Sequence, residues 1–94
     1  MYARVVRFTD VDPDRIAAIQ QRIEENDGPP EGVISTGMKL LFDESQGTAV
    51  FVGFFDTEEN MRESGEVLEA MDPEETPGTR ASIDLCEVKV EADA

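Results

Sequence analysis

The sequence has no histidine, no tryptophan, one cysteine, one tyrosine and only two lysines in 94 residues. With Cys86 alone, an internal disulfide framework and any multi-cysteine metal site are excluded. Without histidine, zinc and haem lose their commonest protein ligand, and general acid–base catalysis loses its usual side chain. No cofactor or metal is therefore expected. Cations are scarce too: 8 basic residues stand against 22 acidic ones, a formal net charge of −14. Such a field repels phosphate backbones, so neither nucleic acid nor an anionic membrane surface is an expected partner. Long apolar runs are also missing. The longest, Ala49 to Phe55, falls far short of the roughly 20 residues of a membrane helix. The opening "MYARVVRFTDVD" meets acids too early for a secretory signal, and a cytoplasmic, reduced location is expected. The acidic balance suits either concentrated salt or ordinary helices with acidic outer faces, and the second reading is preferred.

What is present reads as one α+β domain over residues 1–94, with 91–94 as a frayed tail. Tyr2 to Asp10 has strand composition. "DVDPDRIAAIQQRIEEND" announces a helix: Asp12 can cap it, Pro13 suits its first turn, and Ile16, Ile19 and Ile23 fall at helical spacing. After "DGPPEG", Val33 to Phe42 predicts a second strand, "DESQG" a hairpin loop, and "TAVFVGFFD" a third strand. "DTEENMRESGEVLEAM" predicts a second helix, with Asp56 and Glu59 as a capping box and Met61, Leu68 and Met71 as its inner stripe. Arg80 to Val90 predicts the fourth strand. The order βαββαβ, with a tight hairpin and two crossovers, fits a ferredoxin-like antiparallel sheet in order 4-1-3-2, with both helices on one face.

The third strand is apolar on both sides, which is unusual for a sheet covered on one face only. The similarity of "VRFTD" to "VGFFD", each closing a strand before a helix, suggests that Val6, Phe8, Val52 and Phe54 face the helices. Val5, Arg7, Phe51 and Phe55 then point to the other face, where a contiguous apolar patch would mark an interface. A homodimer joined sheet to sheet is expected, each partner burying on the order of 800 Å².

Two such sheets, with helices outside, make the chain resemble the dimeric α/β-barrel superfamily, in particular its small antibiotic-biosynthesis monooxygenase-like proteins. The resemblance runs through "YARVVRF", "GTAVFVGFFDTEENMRES" and "PGTRASIDLCEV". It implies cofactor-free oxygenases, haem-degrading enzymes, isomerases and cyclases, or binding domains as the range of activities. The histidine of the haem-using branches, and the tryptophan of the asparagine–tryptophan pairing in haem degraders, are both missing here.

Arg7 on a central strand reads as an anchor for an anionic or carbonyl-bearing ligand, or as half of an ion pair with Asp84, Glu87 or a partner chain. The mid-helix pair Ser64-Gly65 reads as close helix–sheet packing, or as room for a ligand lined by Met61, Leu68, Val52 and Phe54 with Tyr2, Asn60 and Ser64 as polar contacts. Cys86 and Met38 read as core residues. Three functions stay open: a binder of a small apolar or aromatic metabolite, a cofactor-independent monooxygenase, and a structural module without ligand. The concentrated-salt reading predicts that raising salt from millimolar to molar raises Tm. A salt-independent Tm would contradict this.

Overall fold

A computed structural model describes residues 1–26, 32–70 and 76–93 of the chain. Its elements are β1 (Tyr2–Thr9), α1 (Pro13–Glu25), β2 (Gly37–Asp43), β3 (Thr48–Phe55), α2 (Glu58–Glu69) and β4 (Thr79–Glu87). The sheet is antiparallel in order β2-β3-β1-β4, with the two helices completing a ferredoxin-like βαββαβ fold. The first cap is as the sequence suggests: an Asp12 carboxylate oxygen accepts from the Arg15 amide at 2.8 Å, with Pro13 next. Helix α2 starts one residue later than its expected cap. Thr57 Oγ1, not Asp56, accepts from the Asn60 amide at 3.0 Å. Met71 lies outside the described residues, as do residues 27–31 and 72–75 of the two acidic loops.

Residues directly opposite in antiparallel strands share a face. Val6 lies opposite Phe51, and Phe8 opposite Ala49. Phe8 and Phe51 meet edge to face, with ring centroids 6.2 Å apart. The helix-covered core therefore takes Val6, Phe8 and Ala49 with Val11 and Ile16 at one end, and Phe55 with Val33 and Met61 at the other. This corrects the expected orientation of β3. Phe51 and Phe55 belong to the helix-facing core, Phe55 being 1 % exposed, while Val52 and Phe54 occupy the uncovered face. The orientation of β1 is as expected, with Val5 and Arg7 on the uncovered side. The cause is a difference in connector length. Asp10 to Asp12 join β1 to α1, but only Asp56 and Thr57 join β3 to α2. Asp10 accommodates the extra residue at φ 56°, in the left-handed region. Counted back from each cap, Val6 corresponds to Phe51, so the two aspartates that end "VRFTD" and "VGFFD" are not equivalent positions.

Strand β2 is shorter than its apolar run. Val33 is buried against Phe55 and Met61, and the Ile34 amide donates to Ser64 Oγ on α2 at 2.9 Å. That bond turns the backbone toward the helix, and the ladder with β3 begins only as the Thr36 amide reaches the Phe54 carbonyl at 2.8 Å. Strand β4 is an edge strand, and among its residues only Ile83 is half-buried. Cys86 and Met38 are accordingly exposed, not core residues. The segment from 88 to 93 carries no regular structure, although the Val88 amide still donates to the Met1 carbonyl at 2.9 Å.

The β2–β3 turn closes on Asp43. Its carboxylate accepts from Ser45 Oγ at 2.6 Å and from Gln46 Nε2 at 2.6 Å, and these bonds hold it below the ordinary aspartate pKa. Gly47 sits at φ 64°, and its carbonyl accepts from the Val11 amide at 3.0 Å, tying the hairpin to the start of α1. Gly78 is more tightly constrained. A Cβ there would run into the Thr9 carbonyl oxygen and would lie 2.9 Å from Val11 Cγ2. Gly78→Ala is expected to destabilise the fold by about 1–3 kcal/mol, as overpacking against backbone does. A denaturation midpoint equal to wild type would contradict that contact.

Candidate functional site

The uncovered sheet face is built of three rows, each crossing all four strands. Gly37, Phe54, Ala3 and Cys86 form the first; Lys39, Val52, Val5 and Asp84 the second; Leu41, Val50, Arg7 and Ser82 the third. The two central columns are apolar but for Arg7. Val5, Val50, Val52 and Phe54 are half-buried by their neighbours, and Leu41 is 53 % exposed. A helix layer on this side would bury these side chains, but both helices are committed to the opposite face.

Two shallow depressions touch this face. One, of about 200 Å³, is lined by Arg7, Leu41, Phe42, Asp43, Gln46, Thr48 and Val50 at the hairpin end. The other, of about 250 Å³, lies at the opposite end, with Phe54, Gly37 and Lys39 beside Met1, Thr36 and Glu91. Each carries one cation and one carboxylate beside apolar side chains: Arg7 and Asp43 in the first, Lys39 and Glu91 in the second. Arg7 is exposed and makes no ion pair with a described residue. Of the suggested partners, Asp84 is a diagonal neighbour of Arg7 on the same face but forms no ion pair with it, and Glu87 is on the opposite face. Asp84 lies opposite Val5, and Glu87 lies opposite Tyr2 on the other face, where it pairs with Lys89 at 3.1 Å.

Beneath α2 the packing is close. Met61, Ser64, Gly65 and Leu68 fall on one helix stripe, and Met61 and Ser64 are 2 % and 0 % exposed. Ser64 is small because its hydroxyl bonds the Ile34 amide of the neighbouring segment. Gly65 lacks a side chain where Arg4 passes beneath: a Cβ would lie 3.4 Å from Arg4 Nε. The pocket envisaged between Met61, Leu68, Val52 and Phe54 is therefore not formed, since the sheet separates the first two from the last two. Tyr2 packs against the Phe55–Met61 cluster, and Asn60 is half-buried at the first turn of α2.

Arg4, which no local pattern singles out, is the one buried charge among the described residues, at 8 % exposure. Burial lowers its pKa; Glu69 opposes that shift and Arg80 adds to it. It makes no ion pair with a described residue. Its Nε and Cδ lie beneath the gap left by Gly65, between the sheet and α2. Read alone, "YARVVRF" presents Arg4 and Arg7 alike; only odd and even placement in β1 separates them.

The described residues include no cluster of three or more potential metal ligands and no helix long and apolar enough to cross a membrane. Comparison with known proteins finds no matching family model, no matching curated protein and no matching solved structure. The chemistry on this surface is that of an apolar centre with a guanidinium, an ammonium and the carboxylates of Asp43, Asp84 and Glu91 around it.

Two substitutions separate the roles of the helix pair. Ser64→Ala is expected to cost about 1–3 kcal/mol by orphaning the Ile34 amide. Gly65→Ala is expected to stabilise by up to about 1 kcal/mol, because helix propensity improves and the new methyl meets only Arg4 at ordinary contact distance. Chemical denaturation of both variants checks the opposite signs.

Proposed function

We propose that the protein is a homodimer of the dimeric α/β-barrel kind, joined through its uncovered sheet faces, and that it binds a small apolar or aromatic molecule at the seam. The observation that carries this reading is the face itself. Val5, Val50, Val52, Phe54 and Leu41 form one contiguous apolar surface, and neither helix lies above it. Patches of this kind mark interaction sites. Packing a second sheet over the first would roof the two depressions and turn open hollows into enclosed ones. The apolar part of a ligand would then rest against Leu41 at the hairpin-end rim, with Arg7 reaching a carbonyl or anionic group. Binding and orientation are the roles these residues can fill.

Light scattering at micromolar concentration is expected to report twice the chain mass. Val52→Asp should give a folded monomer, because it places a charge on the outer face. Phe51→Asp should unfold the chain, because it places one in the core. A wild-type monomer, or a Val52→Asp dimer, would overturn the assembly. For the ligand, a thermal-shift panel of aromatic acids and polycyclic phenols should yield at least one compound that raises Tm. Such a compound at about 100 times its Kd adds about 2.7 kcal/mol. Loss of that shift in Arg7→Gln would identify the anchoring cation. No shift with any compound would leave assembly as the face's sole role.

A further inference from the structure

We infer that the uncovered face is self-complementary, and that in the dimer Lys39 of each chain pairs with the partner's Asp84. This rests on the sheet-to-sheet assembly proposed above and specifies its geometry. Lys39 and Asp84 end the same row, Lys39–Val52–Val5–Asp84, on the two edge strands. Three strand spacings separate their Cα atoms, about 14 Å, so they do not neutralise one another within a chain. Both are exposed, and neither has an ion pair with a described residue.

A closed pair of identical chains needs a twofold axis, and two faces that oppose each other need that axis to lie in the plane between them. Placed along the strands and midway between β1 and β3, it exchanges β1 with the partner's β3 and β4 with the partner's β2. Each row is then laid against itself in reverse. In the middle row Lys39 meets the partner's Asp84, Val52 meets the partner's Val5, and the ion pair forms twice. In the row Gly37–Phe54–Ala3–Cys86, the large Phe54 meets the partner's Ala3, and Cys86 meets the partner's Gly37, so bulk is set against space. In the row Leu41–Val50–Arg7–Ser82, the stem of Arg7 lies on the partner's Val50 and its guanidinium reaches the rim. All three rows agree on one axis. An axis across the strands, through the middle row, would instead bring Asp84 against the partner's Asp84, which like-charge repulsion disfavours.

The spacing is suitable. Packed sheets lie about 10 Å apart, within the combined reach of a lysine and an aspartate. Aligned sheets also rotate by about 30°, which displaces the edge strands by only about 4 Å, within the freedom of a lysine stem.

Charge reversal tests the pairing by sedimentation at low salt, with circular dichroism to confirm folding of these exposed-site variants. Lys39→Glu alone and Asp84→Lys alone should each weaken the dimer at least about tenfold, since each sets two like-charge contacts in the interface. The double variant Lys39→Glu/Asp84→Lys should return to within about threefold of wild type, because both pairs are restored with opposite sign. Mixing the two single variants should produce the heterodimer in preference to either homodimer, as both pairs are again opposite in sign. If wild type is a dimer but the single variants match it, or the double variant fails to recover, this pairing is wrong while the assembly stands. If wild type is a monomer, both fall together.

Discussion

The pairing of Val6 with Phe51 across the two central strands fixes nearly everything else about this molecule. It decides which side chains of an all-apolar strand enter the core and which are left outside. A one-residue slip would exchange the two sets, placing Val52 and Phe54 under the helices and Phe51 and Phe55 in water. What prevents it is mostly volume. Phe51 and Phe55 fill the space beneath α1 and α2, and full burial of a phenylalanine contributes about 1.5–3 kcal/mol. The smaller valines left outside make the open face flat enough to accept another sheet.

The topology was legible because it follows from element order and connector length alone. One hairpin of Glu44 to Gly47 and two crossover helices leave few other solutions. Helix stripes were equally plain, since 3.6-residue spacing sets Ile16, Ile19 and Ile23 apart from their acidic neighbours. The direction of β3 was not legible. A strand apolar on both sides carries no alternation to read, and its local likeness to the end of β1 misled by one position. The left-handed conformation of Asp10, which absorbs that position, has no signature as clear as a glycine. Cys86 failed for another reason: a cysteine in a β-rich run suggests burial, but β4 is an edge with little above it.

The candidate site was half visible. Arg7 could be placed because a charge in a central strand must face something, and its column on β1 was assigned correctly. The depression it helps to form depends on Leu41 and Val50, whose exposure follows only from the strand register. Ser64 and Gly65 announced a close approach by their size, but what approaches, Arg4 beneath one and the Ile34 amide beside the other, belongs to segments distant in sequence. Long-range contacts of this kind leave no local pattern.

The acids are not spread evenly around this architecture. Asp14, Glu24 and Glu25 on α1, and Glu58, Glu59, Glu63, Glu66 and Glu69 on α2, are all exposed on the helical side, whereas the sheet rows hold Arg7 and Lys39 against Asp84 alone. The molecule is thus electrically lopsided. Two diffusing copies that approach helix to helix are pushed apart, and those that turn their sheets toward one another meet the weakest repulsion, so the field itself orients the collision before any contact forms.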